Sequence, residues 1–139
     1  MPHLEVDGIR KTYGSVTAVE DMSFSLDEGD LLTLLGPSGC GKTTTLDIIA
    51  GLTRPDHGDI FINGERVNDL GPENRDTVKV FQEYALFPHM TVGRNVGFGL
   101  EMDGVARDER ESRVKEALEM VQLGGLADRK VDELSGGQR

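Results

Sequence analysis

Three stretches near the N-terminus, LEVDGI (4–9), SVTAVE (15–20) and SFSL (23–26), alternate apolar and polar positions. A period of two marks a strand covered on one face, so these predict half-buried strands. DEGD (27–30) reads as a turn, and LLTLLG (31–36) is almost continuously apolar. That second pattern predicts a strand covered on both faces, as in a parallel sheet. In TTTLDIIAGL (43–52), Leu46, Ile49 and Ala50 recur at helical spacing. Gly51 suits the helix C-terminus, and Pro55 forbids continuation. GDIFINGERV (58–67) holds Asn63-Gly64, a strong two-residue hairpin signal. TVKVFQ (77–82) reads as a further strand.

Beyond that strand the pattern changes. From Asp108 to Gln122, Val114, Ala117, Leu118 and Val121 fall at i, i+3, i+4 and i+7, which predicts an amphipathic helix. Its first turn is acidic, matching the positive end of the helix dipole. The charge run reads as a solvated face rather than a binding patch. No internal repeat or low-complexity segment is visible. The expected organisation is a strand-rich core over residues 1–84 followed by a helical subdomain over 85–139.

Composition narrows the class. The 139 residues are 37% hydrophobic and 29% charged, which suits one soluble, globular domain with a real core. No apolar run approaches the roughly 18 residues of a membrane span. The N-terminal MPHLEVDGIRKTYG lacks the apolar centre of a signal peptide. Cys40 is the one cysteine, and His3, His57 and His89 lack ligand spacing, so a cytoplasmic compartment is the default reading.

The net charge of −10 argues against nucleic acid as a partner, because such binding needs cationic surface. An acidic surface is either ordinary solvation or an adaptation to a salty cytoplasm. A melting temperature that rises in molar KCl marks the second reading, and a flat response the first.

The chemistry centres on LLTLLGPSGCGKTTT, in which Gly36 to Thr43 fits G-x-x-x-x-G-K-[ST]. Gly36, Gly39 and Gly41 permit an inward-turned backbone whose N–H groups converge on an anion. Pro37, Ser38 and Cys40 complete the loop, with Cys40 read as a small loop residue and not a nucleophile. The helix starting near Lys42 aims its free N–H groups and dipole at the same point. Lys42 is expected to meet the β- and γ-phosphates, Thr43 to ligate Mg²⁺, and Thr44 to stand beside it.

A second motif sharpens the family. LSGGQ (134–138) resembles the signature of ATP-binding cassette (ABC) ATPases. Tyr13 in KTYGSV, the loop GPSGCGKTT (36–44), and Gln82 after the strand TVKVFQ agree with that family in order. EYALFPHMTVGRNVGFGL (83–100) is similar to importer ATPases for sugars, polyamines and ferric iron. The resemblance covers essentially the whole chain.

The fold it implies is α/β, a P-loop NTPase of the ABC type. It has a parallel sheet, N-terminal antiparallel strands and a partial helical subdomain. The implied cofactors are ATP and Mg²⁺. Tyr13 would stack on adenine, with Ala18 beside the base; the alternative for Tyr13 is a half-buried strand aromatic. Gln82 would position Mg²⁺ and the attacking water. Ser135, Gly136, Gly137 and Gln138 would cover the nucleotide of a second subunit facing head to tail. Ala85 to Pro88 would dock a transmembrane permease subunit, the alternative being local packing of Leu86 and Phe87. Arg94 stands where the family often has an acidic residue and receives no partner contact. The implied location is the inner face of the membrane, held peripherally through the permease.

The family places a Mg²⁺-binding Asp, a catalytic Glu and a switch His after its signature. Residues 1–139 contain no counterpart, since Asp132 and Glu133 precede the signature. The expectation is therefore a truncated cassette that binds nucleotide weakly and does not hydrolyse it. The alternative is a non-catalytic nucleotide-binding or dimer-interfering module.

Overall fold

The computed structural model describes residues 2–139. The chain divides into two compact units, Met1–Val80 and Phe81–Arg139, taken in turn below.

In the first unit, β1 (Leu4–Tyr13) and β2 (Val16–Leu26) form a long antiparallel hairpin. The helix α1 (Lys42–Ile49) follows, then β3 (His57–Ile62) and the short β4 (Glu65–Arg66). The sheet order is β2-β1-β3-β4, and every pairing is antiparallel. The Asn63-Gly64 signal was sound: both residues have positive φ, 51° and 78°, and Ile62 pairs with Glu65 across the turn.

The buried positions of β1 are Val6 and Ile9, three apart, where strict alternation would send them to opposite faces. A register shift between them returns Ile9 to the core. Gly58 crosses the strand there at φ 84°, where an added Cβ would lie 2.4 Å from the Gly8 carbonyl carbon. Only glycine fits so close an approach. The core joins Val6, Ile9, Val19, Ile60, Ile62 and Val67 to Ile48 of α1.

Two sequence expectations change here. The buried face of α1 is Thr45 and Ile48, with Ala50 just beyond the helix, while Leu46 is 48% exposed. Thr45 can be buried because its hydroxyl donates to the Gly41 carbonyl at 2.8 Å and so carries no unpaired group inward. The expected parallel sheet is also not formed by the described residues. LLTLLG and TVKVFQ are not strands, and Leu31, Leu35, Val78 and Val80 are 93%, 88%, 95% and 91% exposed. A strand is defined by a ladder of backbone bonds to a neighbour, and neither segment belongs to the sheet β2-β1-β3-β4.

Arg75 fastens the far end of α1. It is 7% exposed, and its guanidinium donates to the carbonyls of Ile48 at 2.7 Å and Ile49 at 2.9 Å. It also donates to Leu70 at 3.0 Å, so one side chain ties the helix C-terminus to the segment after β4. Helix C-termini carry unpaired carbonyls and negative partial charge, which a guanidinium satisfies on both counts.

In the second unit, α2 (Val92–Val96) and α3 (Phe98–Met102) precede the longer α4 (Arg107–Met120). The predicted helix over 108–122 is thus observed almost in place. It ends before Val121, which is 60% exposed, and Gln122 takes a positive φ of 61°. Val92, Val114, Leu118 and Leu134 form the apolar cluster, edged by Leu123, Leu126 and Ala127. The charges of α4 lie outside it and pair along the helix, as Arg107 with Glu111 at 2.7 Å and Lys115 with Glu119 at 4.0 Å.

Replacing Arg75 with Met keeps much of its bulk but removes its bonds to the Ile49 carbonyl and to that of Ile48, which is left with the Gly51 N–H alone. The expected outcome is a loss of roughly 3 kcal/mol, read from the midpoint of urea unfolding.

Candidate functional site

The loop from Gly36 to Gly41 leads into α1. Pro37 to Cys40 close a turn in which the Cys40 N–H meets the Pro37 carbonyl at 3.3 Å. Gly41 caps the helix at φ 88°, and the Thr45 N–H donates to the Gly41 carbonyl at 2.8 Å. Thr45 is therefore the first helical residue whose N–H is bonded back along the helix. The N–H groups of Lys42, Thr43 and Thr44 are first-turn donors that no preceding carbonyl of the helix serves. Gly36 to Cys40 and Thr43 are exposed, so loop and hydroxyl are open to solvent.

The Lys42 ammonium lies against the loop itself. It donates to the Gly36 carbonyl, to the Pro37 carbonyl at 2.8 Å and to the Cys40 sulfur at 3.1 Å. That last contact, more than any other influence, lowers the Cys40 thiol pKa below its ordinary 9.0. A cation so placed on weak neutral acceptors will exchange them for a stronger anionic one, since charge-assisted hydrogen bonds are about twice as strong.

The hairpin β1–β2 backs the loop. A Cβ on Gly41 would lie 2.0 Å from the Ala18 carbonyl oxygen and 3.2 Å from Val19 Cγ2. The phosphate-loop glycine is thus in direct contact with β2. Tyr13, at the end of β1, is 50% exposed.

Gln82, Ala85 to Pro88 and residues 134–138 lie in the second unit, which stands by itself here. Gln82 is exposed in an irregular segment. Ser135 opens a short 3-10 turn over Gly136–Gln138, closed by the Gln138 N–H to the Ser135 carbonyl at 3.0 Å. The Gln138 side chain returns to accept the Ser135 N–H at 3.0 Å. Leu134, 7% exposed, roots this turn in the apolar cluster. Gly136 and Gly137 remain exposed.

Phe87 packs locally, 4.6 Å from the Phe98 ring and 6.1 Å from His89. The Asn95 side chain holds its backbone on both sides, accepting from the Phe87 N–H at 2.8 Å and donating to its carbonyl at 3.1 Å. Arg94 contributes its N–H to the Thr91 cap of α2 at 3.2 Å.

Asn95 and Arg75 were not legible as site-shaping residues, because their partners are backbone carbonyls and N–H groups that no sequence pattern marks. Among the described residues no group of three or more His, Cys, Asp or Glu could hold a metal ion. A metal at the start of α1 would rest on the Thr43 hydroxyl and the ligand's own phosphates, which is ordinary for Mg²⁺.

A family model described as ABC transporter matches residues 19–139. The Fe(3+) ions import ATP-binding protein FbpC of Pasteurella multocida is 52% identical over 136 residues, covering 98% of this chain and 39% of that protein. The spermidine/putrescine import ATP-binding protein PotA of Haemophilus influenzae is 50% identical over 138 residues, covering 99% of this chain and 37% of that protein. The chain therefore spans about two fifths of the length of these curated relatives. A solved dimeric ATP-binding cassette in a post-hydrolysis state, bound to ADP and phosphate, superposes with a TM-score of 0.86 at 33% identity. That match covers 97% of this chain and 64% of the solved one.

Substituting Gly41 with Ala forces a side chain into the Ala18 carbonyl and into a left-handed backbone. The expected cost is about 2 kcal/mol or more of stability, measured by urea unfolding. Saturable triphosphate binding is expected to disappear in calorimetry with it.

Proposed function

The chain belongs to the ABC transporter family, and on that premise we propose that it is the nucleotide-binding part of an importer ATPase subunit. What carries the reading is the exposed loop Gly36–Cys40 opening through Gly41 into α1, with the Lys42 ammonium resting on replaceable neutral acceptors. In this reading the first-turn N–H groups and Lys42 hold the β- and γ-phosphates of ATP. The Thr43 hydroxyl, exposed at the helix start, takes one position on Mg²⁺, and the phosphates take others. Bound Mg²⁺ would supply charge neutralisation. Tyr13 offers its ring to the purine.

The second unit supplies the other half of the reading. Gln82 positions Mg²⁺ and water, and Ser135 with the exposed Gly136 and Gly137 covers the γ-phosphate on a second subunit held head to tail. Ala85 to Pro88, braced by Asn95 and Phe98, face a transmembrane permease. The protein would then sit peripherally on the inner face of the membrane; no helix among the described residues is long and apolar enough to cross it. The relatives named above are import ATP-binding proteins for Fe(3+) ions and for spermidine/putrescine, and this chain is about equally similar to both. The solute is set by the permease and its binding protein, in line with relatives of equal likeness but different cargo.

These 139 residues on their own bind nucleotide and do not turn it over in this proposal. Asp132 and Glu133 sit in the turn before the signature, and the Glu133 carboxylate is engaged by the Lys130 N–H at 2.7 Å.

Calorimetric titration of the 139-residue polypeptide with MgATP is expected to give saturable binding that Lys42→Ala weakens about tenfold or more. No sustained phosphate release is expected. Equal binding by the variant refutes the loop's role, and steady turnover refutes the proposed inactivity.

A further inference from the structure

Tyr13 does not stand alone at the end of β1. Lys11 is two residues earlier on the strand, and its ammonium lies 5.5 Å from the centroid of the Tyr13 ring. Lys11 is in turn held by Asp56, whose Oδ1 accepts from the ammonium at 3.0 Å. The second carboxylate oxygen accepts the Thr12 N–H at 2.7 Å, on the residue between them. Asp56 is itself fixed, because its own N–H donates to the Arg10 carbonyl at 2.8 Å.

Geometry explains why a carboxylate is needed there. The pairing of β3 with β1 ends at His57 opposite Arg10. Thr12 lies beyond that end, so its N–H has no strand carbonyl on the β3 side. The Asp56 carboxylate takes the place of the missing carbonyl and binds Lys11 with its other oxygen. The Thr12 N–H first, and the Lys11 ammonium next, hold the Asp56 carboxyl below its ordinary pKa, so it is anionic at neutral pH.

A cation over an aromatic face restrains the ring and draws on its electron density. It occupies one face and leaves the other for a ligand, in keeping with a tyrosine that is 50% exposed. We propose that Lys11 and Asp56 are positioning residues for the nucleotide base: Asp56 locks the end of β1 and anchors Lys11, and Lys11 holds the Tyr13 ring with its free face presented to the purine. This rests on the reading of Tyr13 as the base-stacking residue. The loop Gly36–Thr43 holds the phosphates independently of it.

The independence supplies the test. In the full-length subunit, affinities are measured for MgATP and for inorganic tripolyphosphate, which has phosphates but no base. Lys11→Met keeps the stem and removes the charge. It is expected to weaken MgATP about two- to fivefold and to leave tripolyphosphate unchanged. Lys11→Arg, which keeps a cation over the ring, restores the MgATP affinity. Asp56→Asn, which keeps an acceptor for Thr12 but loses the ion pair, follows Lys11→Met in direction. Tyr13→Ala weakens MgATP alone, and adding Lys11→Met to it has no further effect.

Equal loss of both ligands with Lys11→Met shows general damage to the fold and overturns the proposal. So does a Lys11→Met protein of normal MgATP affinity beside a weakened Tyr13→Ala, which leaves the stacking intact without Lys11. An Arg variant as weak as the Met variant overturns the role of the cation. A Tyr13→Ala protein that binds MgATP normally removes the stacking reading itself, and this inference with it.

Discussion

The carbonyl oxygen of Ala18 lies where a Cβ on Gly41 would be 2.0 Å away. β2 and the phosphate loop can touch only because residue 41 has no side chain, and much else in the first unit follows from that contact. It sets where α1 begins. From there the helix runs so that Thr45 and Ile48 face the sheet and are fully buried. Thr45 closes its hydroxyl onto Gly41 at 2.8 Å, which binds the cap to the buried face. At the other end Arg75 satisfies the last carbonyls. A short helix is marginal alone, and this one is held at both termini and along one side. The loop it opens inherits that rigidity through Gly41.

The two glycine-rich motifs share one device. Each is an exposed glycine-rich stretch set next to a firmly buried neighbour. For the phosphate loop the anchor is the α1 core face; for Ser135 to Gln138 it is Leu134 in the helical cluster. The motif must be free of side chains to approach an anion, so it cannot hold its own shape by packing. The shape comes from adjacent residues and, in the signature turn, from the Gln138 amide folding back on Ser135. The same logic extends to Tyr13, whose setting depends on a lysine and an aspartate that belong to neither motif.

Local chemistry was legible from the chain. Asn63-Gly64 forces a hairpin because both residues accept positive φ. The helix over 107–120 follows from its apolar spacing, and its charges pair at i and i+4 as a solvated face does. The phosphate loop and the signature are contiguous, and their residue types state their chemistry without any fold. Of the positions predicted for α1, Ile49 and Ala50 turn to the core as their spacing suggests and Leu46 does not; Thr45 looks polar, and only the Gly41 carbonyl beside it makes its burial cheap.

LLTLLG and TVKVFQ show the limit most clearly. Their apolar runs read as strands, yet a strand needs hydrogen-bonding neighbours, and composition cannot provide them. The register shift that turns Ile9 inward, the reach of Arg75 across to Ile48, and the link of Asp56 to Lys11 over 45 positions have the same origin. The sequence by itself determined every feature whose physics is local: turn geometry, helix periodicity and the two glycine-rich motifs. The tertiary structure alone decided pairing, burial of polar groups and support of the site, because each of these is an interaction between residues far apart in the chain and exists only once they meet.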